Sequence, residues 1–180
     1  SRVLGLVRES LKARLIGARW VEISKPWLNE IHVTASNPGD MILAHEIAHV
    51  TAGRLAGNLF AMPLSGGLIP DMGMVEGLAV AAAFADEGPS PHEWAAAMIE
   101  AGMDPGVESL FSPLAFISGG AAASYNTAGS FIRYIHDSHG AKAIAALAAG
   151  RSFKEATGLE FVELEGGWRD AAYRCAARAC

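Results

Sequence analysis

The chain is short of cysteine, of long apolar runs and of basic charge, and each shortage excludes something. Two cysteines in 180 residues, Cys175 and Cys180, supply no framework of staples, so the fold must rest on its core. Five residues apart, they would stand about 140° from each other on a continuing helix and are not expected to bridge within it. They point to no particular compartment. The longest uncharged run, 109–132, is interrupted by Pro113, several glycines, Tyr125 and Asn126, which excludes a membrane span there. Basic residues outnumber acidic ones only in the first 25 positions, where Arg2, Arg8, Lys12, Arg14, Arg19 and Lys25 face Glu9 and Glu22. The rest is acidic and the net charge is −5, so no nucleic-acid partner is expected. The basic leading segment reads as a solvated face, and any membrane association would come through segments outside this chain. A signal peptide is also missing. The chain begins at Ser1 rather than Met, as a domain excised from a longer protein would. Neither a repeat nor a linker divides it, so 1–180 is expected to be a single domain.

With 51% apolar and 18% charged residues and many alanines, the composition is that of a largely helical protein with a well-filled interior. Leu4, Val7, Leu11 and Leu15 form one stripe and predict an amphipathic helix over 2–17, ended near Gly17. Residues 20–24 read as a short strand, 26–29 as a turn and 30–35 as an alternating strand with His32 on its exposed face. Turn chemistry at 36–40 precedes a helix that runs to about Gly57, with Asn37 or Asp40 as its cap. Residues 58–70 carry Pro63, Ser65, Gly66, Gly67 and Pro70, an irregular hairpin of mixed apolar character and a candidate cleft wall. Helices follow at 71–84, from a Ser90 cap to about Ala101, at about 107–117, and from Ser124 to a stop at Gly140. Three more pieces, 141–149, 153–157 and 159–177, complete a mostly helical second half.

The chemistry concentrates in His45-Glu46-Ile47-Ala48-His49. Residues i and i+4 of a helix lie about 40° apart and roughly 6 Å along the axis, so both imidazoles can point at one ion. Glu46 stands one residue round from His45, beside such an ion, where a carboxylate can take a proton from water. Ile42, Leu43, Ile47 and Val50 flank the motif and predict a buried helix, in which two imidazoles and a carboxylate are costly without a cation. Two histidines leave a tetrahedral zinc site one protein ligand short. A third histidine six residues beyond His49 would complete it, but that position is Leu55. Asp71 is one candidate. Glu76 is the better one, a carboxylate in the otherwise apolar stretch Val75-Glu76-Gly77-Leu78-Ala79, whose small residues would allow close approach to the motif helix.

His136 and His139, three apart before Gly140, read as helix-end residues that complement the dipole rather than as metal ligands. Tyr134, among Phe131, Ile132 and Ile135, reads as core. Met62, Met72 and Met74 read as gap fillers.

His45–His49 followed by Glu76-Gly77-Leu78-Ala79, Tyr125, the helix Ala128-Gly129-Ser130-Phe131-Ile132-Arg133-Tyr134 and Trp168-Arg169 resembles the gluzincin metallopeptidases, in particular their compact peptidase-MA-like domains. The resemblance covers about 30–170. It implies an α+β, mostly α, zincin-like fold, with a small N-terminal β-sheet packed on the motif helix and a helical C-terminal lobe. It implies Zn2+ held by His45, His49 and Glu76, Glu46 as general base and then acid, and Tyr125 as the hydroxyl that stabilises the oxyanion. The expected activity is hydrolysis of a peptide or protein substrate. Members of the family commonly carry Trp three residues before the ligand Glu. Here Gly73 stands there, which is expected to open space beside the site. A non-catalytic, zinc-stabilised binding domain of the same fold is the alternative.

Overall fold

A computed structural model describes residues 6–9, 23–28, 30–33, 40–83 and 89–178. Leu4, Leu11, Leu15, Asn37, the 84–88 stop and Cys180, which entered the expectations above, lie outside the described residues.

Three short strands open the fold. β1 (Leu6–Glu9) and β2 (Ile23–Lys25) both pair with β3 (Glu30–Val33), β1 in parallel and β2 antiparallel, in the order β1-β3-β2. Register sets Val7 and Ser24 against Ile31, which is 3% exposed. The helix expected over 2–17 is thus replaced by a strand at 6–9. Gly5 weakens a helix there by about 1 kcal/mol. The open edge of β3 offers Leu6–Glu9 a ladder of backbone hydrogen bonds instead, and tertiary pairing overrides the local stripe. A 3-10 turn, Pro26–Leu28, joins β2 to β3.

The motif helix α1 is Asp40–Ala56. It is half-buried rather than buried. Glu46, Val50, Ala52 and Gly53 face inward with the two histidines partly covered, while Ile42, Ile47, Thr51 and Leu55 are exposed. Ile47 lies well round the helix from His45 and His49, and Ile42 sits in the first turn, so the polar motif residues take the inner face. A small hairpin, β4 (Leu64–Ser65) and β5 (Ile69–Pro70), leads to α2 (Met72–Ala82). Asp71 caps α2, its side chain accepting from the Met74 N–H at 3.0 Å.

The helical half follows. α3 (Pro91–Glu100) starts from a capping box, with Glu93 N–H on Ser90 Oγ and Ser90 N–H on Glu93 Oε2, as the Ser-Pro-His-Glu stretch requires. The helix expected over 107–117 divides into a 3-10 turn, Val107–Phe111, and α4 (Pro113–Ser118). Pro113 forces this, because Ser112 before it is held extended at φ −91°, ψ 134°. α5 (Ala121–Ala148) is the central helix, broken at Gly140, whose φ of 80° and ψ of 174° are reached at low cost only without a side chain. α6 (Phe153–Thr157) and α7 (Phe161–Ala176) close the chain.

The main core lies between α2, α3, α5 and α7 around Phe131, Ile135, Leu164 and Trp168, all buried. Phe131 meets Trp168 edge to face at 5.8 Å, and the Phe153 and Phe161 rings at 5.8 and 5.5 Å. Gly77 of α2 seats on α5, while α2 also packs against α1. A Cβ at Gly77 would stand 2.8 Å from Ile132 Cγ1 and 2.9 Å from the Ala128 carbonyl, and one at Gly129 would collide with Val80.

α7 ends at Ala176, so the continuing helix assumed for the cysteines does not extend to the terminus, and Cys175 is disulfide-bonded. Among the described residues no helix is long and apolar enough to cross a membrane. The architecture is a mostly helical α+β fold.

Candidate metal centre

Helices α1 and α2 bring three side chains to one point. His45 and His49, one turn apart on α1, place their Nε2 atoms 3.1 Å from each other. Glu76, near the middle of α2, places Oε2 at 3.3 Å from His45 Nε2 and 3.4 Å from His49 Nε2. These separations form a nearly equilateral triangle. Ligands at about 2.0–2.2 Å from a tetrahedral zinc stand about 3.3 Å from one another, so the triangle matches one face of that tetrahedron. Two imidazoles and a carboxylate are a donor set suited to zinc. The three residues could therefore hold one such ion.

Glu46 is the competing carboxylate. It is 8% exposed, and its ligand atom lies with those of His45 and His49 in a group no wider than 4.8 Å. Glu76 is closer to both nitrogens and completes the triangle, which leaves Glu46 beside the triangle rather than in it. Asp71 is elsewhere. Its carboxylate is committed to the α2 cap and lines a cavity with Phe111, Leu147 and Phe153 that includes neither histidine.

The electrostatics follow from these placements. Burial pushes the Glu76 carboxyl up, but hydrogen bonds from His45 and His49 and their charge outweigh it and hold the group at about 2. Tyr125, at the start of α5, reaches the same place. Its ring stacks on the His45 imidazole at 6.3 Å and meets Phe116 edge to face at 5.1 Å. Burial, then the Glu76 carboxylate to which its hydroxyl donates and the charge of Glu46, push the phenol up to about 12. It stays a protonated donor at neutral pH. Ser124 locks this turn by donating from Oγ to the Phe116 carbonyl at 2.7 Å.

Five residues singled out in the sequence, His45, Glu46, His49, Glu76 and Tyr125, thus meet in one site. Others do not join it. His136 pairs with Asp137 at 2.9 Å on the exposed side of α5, and His139 lies against Tyr134, at 6.5 Å between ring centroids. Among the described residues these two belong to no group of three metal-ligating side chains. Gly73 opens no space. A Cβ there would stand 2.8 Å from the Phe111 ring, which fills the place a larger residue would take. Met74 is core, 2% exposed, whereas Met62 lines a recess beside His49 and Glu76. Trp27 lines the same recess. Its sequence context, a Pro-Trp turn, gave no signal for that placement, which depends on contact between segments distant in sequence.

No protein-family model matches the chain, and no curated protein and no solved structure matches it either.

Proposed function

We propose that the chain is a zinc-dependent metallopeptidase of zincin-like fold and gluzincin type, with His45, His49 and Glu76 as the metal ligands. One observation carries the reading: the 3.1, 3.3 and 3.4 Å triangle of ligand atoms, with a buried carboxylate and a phenol hydroxyl beside it. The mixed sheet next to α1 and the helical lobe across the site also support it. Zinc bound there would lower the pKa of a water towards neutrality and polarise a carbonyl oxygen. Glu46 takes the proton of the attacking water and passes it to the departing amine. Tyr125 donates its hydroxyl to the oxygen on which negative charge develops, and its high pKa keeps that proton in place. In the free protein the same hydroxyl is turned to the Glu76 carboxylate, so its single proton passes from that contact to the substrate oxygen. The substrate is a peptide or a protein segment.

The test is metal content together with digestion of a peptide mixture. The purified protein should carry about one zinc per chain, and Glu46→Gln should retain it while cleavage falls by a factor of about 10²–10⁴ or more. Unchanged hydrolysis by Glu46→Gln would remove Glu46 from the reaction and the mechanism with it. Zinc binding without hydrolysis of any peptide by the wild type would leave the binding-domain alternative.

A further inference from the structure

Beside the ligand triangle, on the side of His49 and Glu76, lies a recess of about 170 Å³. Apart from those two side chains and Ser24 its lining is apolar, with Trp27, Ala52, Met62 and Val75 among its surfaces. An apolar cavity of about 150 Å³ accommodates a benzene ring, so this one suits an isobutyl or benzyl group. The recess touches the two ligands directly, so a group held in it sits next to whatever is held at the metal.

Its walls are built rather than left over. α1 meets the turn at Pro26 and the loop at Ala61 across Gly53, where a Cβ would collide with the Ala61 carbonyl and stand 2.9 Å from Pro26 Cβ. The loop after α1 is tied by Asn58. Its Nδ2 donates to the Met62 carbonyl at 2.7 Å, its Oδ1 accepts from the Phe60 N–H at 3.0 Å, and its carbonyl accepts from the Ala61 N–H at 3.0 Å. The Pro63 carbonyl accepts from the Asp71 N–H at 3.1 Å, which ties the loop to the start of α2. Held at both ends, Ala61 takes φ 48°, the one non-glycine residue at positive φ among the described residues. Backbone strain of this kind persists where surrounding bonds over-determine it and gathers at functional sites. Here it turns Ala61 and Met62 into the recess. At the rim Trp27 is 55% exposed, a large flat surface not yet covered.

We propose that this recess receives one medium-sized apolar side chain of the peptide, leucine to phenylalanine in size, adjoining the bond to be cut. The substrate class is then peptides with such a residue beside the cleavage point. The proposal rests on the metallopeptidase reading given above. Charged side chains are disfavoured because the lining holds no cationic partner for an anion besides the ligand His49 and places a cation in competition with the metal for Glu76. Ala52 and Met62 both line it, so their size limits what it can hold.

The experiment uses the zinc-loaded protein, a peptide library read by mass spectrometry, and binding of N-acetyl-leucinamide read by nuclear magnetic resonance at the Met62 methyl and the Trp27 indole. In the wild type, leucine, methionine or phenylalanine should be favoured over glycine and aspartate at one position flanking the cut by roughly tenfold or more. Ala52→Leu, which fills the recess, should move the preference to alanine and glycine with zinc content unchanged. Met62→Ala, which only removes atoms and so serves if Ala52→Leu does not fold, should extend the preference to tryptophan. N-acetyl-leucinamide should shift both signals in the wild type and neither in Ala52→Leu. Cleavage with no side-chain preference at either flanking position, or with a preference unmoved by both variants, overturns the proposal. If no peptide is cut, the metallopeptidase reading fails. The recess is then judged by binding alone, and unshifted Met62 and Trp27 signals at millimolar probe overturn it as well.

Discussion

The centre of the helical half and the site between α1 and α2 both bury polar side chains, and they do so in opposite ways. Around Ser130, fully buried on α5, the polar atoms satisfy one another. The Trp168 indole donates to Ser130 Oγ at 2.8 Å, and the Ser130 hydroxyl lies 2.7 Å from His92 Nδ1. Burial lowers the His92 pKa, with Arg133 acting the same way and Asp137 against it, so the neutral imidazole is available to accept that proton. Nothing needs to be added. Around Glu76, by contrast, two imidazole nitrogens and a carboxylate oxygen converge within 3.4 Å, and once the histidines give up the protons they share with Glu76 all three atoms are able to bind a cation. The first arrangement is closed and serves the core. The second is open to one more charge, and that openness distinguishes a site from a buried polar network.

The contrast can be broken from either side. The largest effect should come from Trp168→Ala, which removes the aromatic centre of the core and a donor to Ser130. A loss of about 3–5 kcal/mol is expected by urea denaturation, with the zinc stoichiometry of the protein that remains folded unaltered. Next, zinc added to chelated protein at about a hundred times its Kd should stabilise the fold by about 2.7 kcal/mol, seen as a rise in melting temperature. His49→Ala should abolish that increment, and an equal rise in His49→Ala would show that zinc binds elsewhere. Ser130→Ala leaves the Trp168 N–H and His92 without their shared partner and should cost about 1–3 kcal/mol, again with no change in metal binding.

The smallest effect concerns Asp71, where burial raises the carboxyl to about 6 against a downward pull from the Met74 N–H. A group with a folded pKa above its unfolded value of 3.8 binds more protons in the native state between those two values. Stability therefore falls as pH rises through that window and is level above it. The gap corresponds to about 3 kcal/mol at neutral pH before solvent screening at this half-buried carboxylate reduces it. Asp71→Asn keeps an oxygen to cap α2 and cannot ionise, so its denaturation midpoint should vary less between about pH 4 and pH 6.5 than that of the wild type. Parallel curves for the two proteins would contradict the assignment.

Much of this was legible in the sequence where the causes are local. Two histidines four apart must share a helix face, Ser90 and Glu93 specify their own capping box, and Gly140 marks the break in α5. Glu76 could be singled out because a carboxylate in an apolar helix calls for a partner. What the sequence does not show depends on distant residues. The strand at 6–9 exists because β3 offers an edge, which no periodicity within 2–17 records. The space expected at Gly73 is occupied by Phe111, and Gly77, expected to face α1, meets Ala128 and Ile132 of α5. Trp27 and Met62 face the recess only because Gly53 lets three segments meet.

Gly77 sits next to Glu76 in the chain and against α5 in space. A methyl group there would have to retreat from Ile132 and the Ala128 carbonyl by about half an ångström to reach ordinary contact. The carboxylate beside it would travel too, while both histidines, anchored on another helix, would stay behind. The spacing of the three converging side chains is thus set at a position outside them, and its gauge is the thickness of a missing side chain.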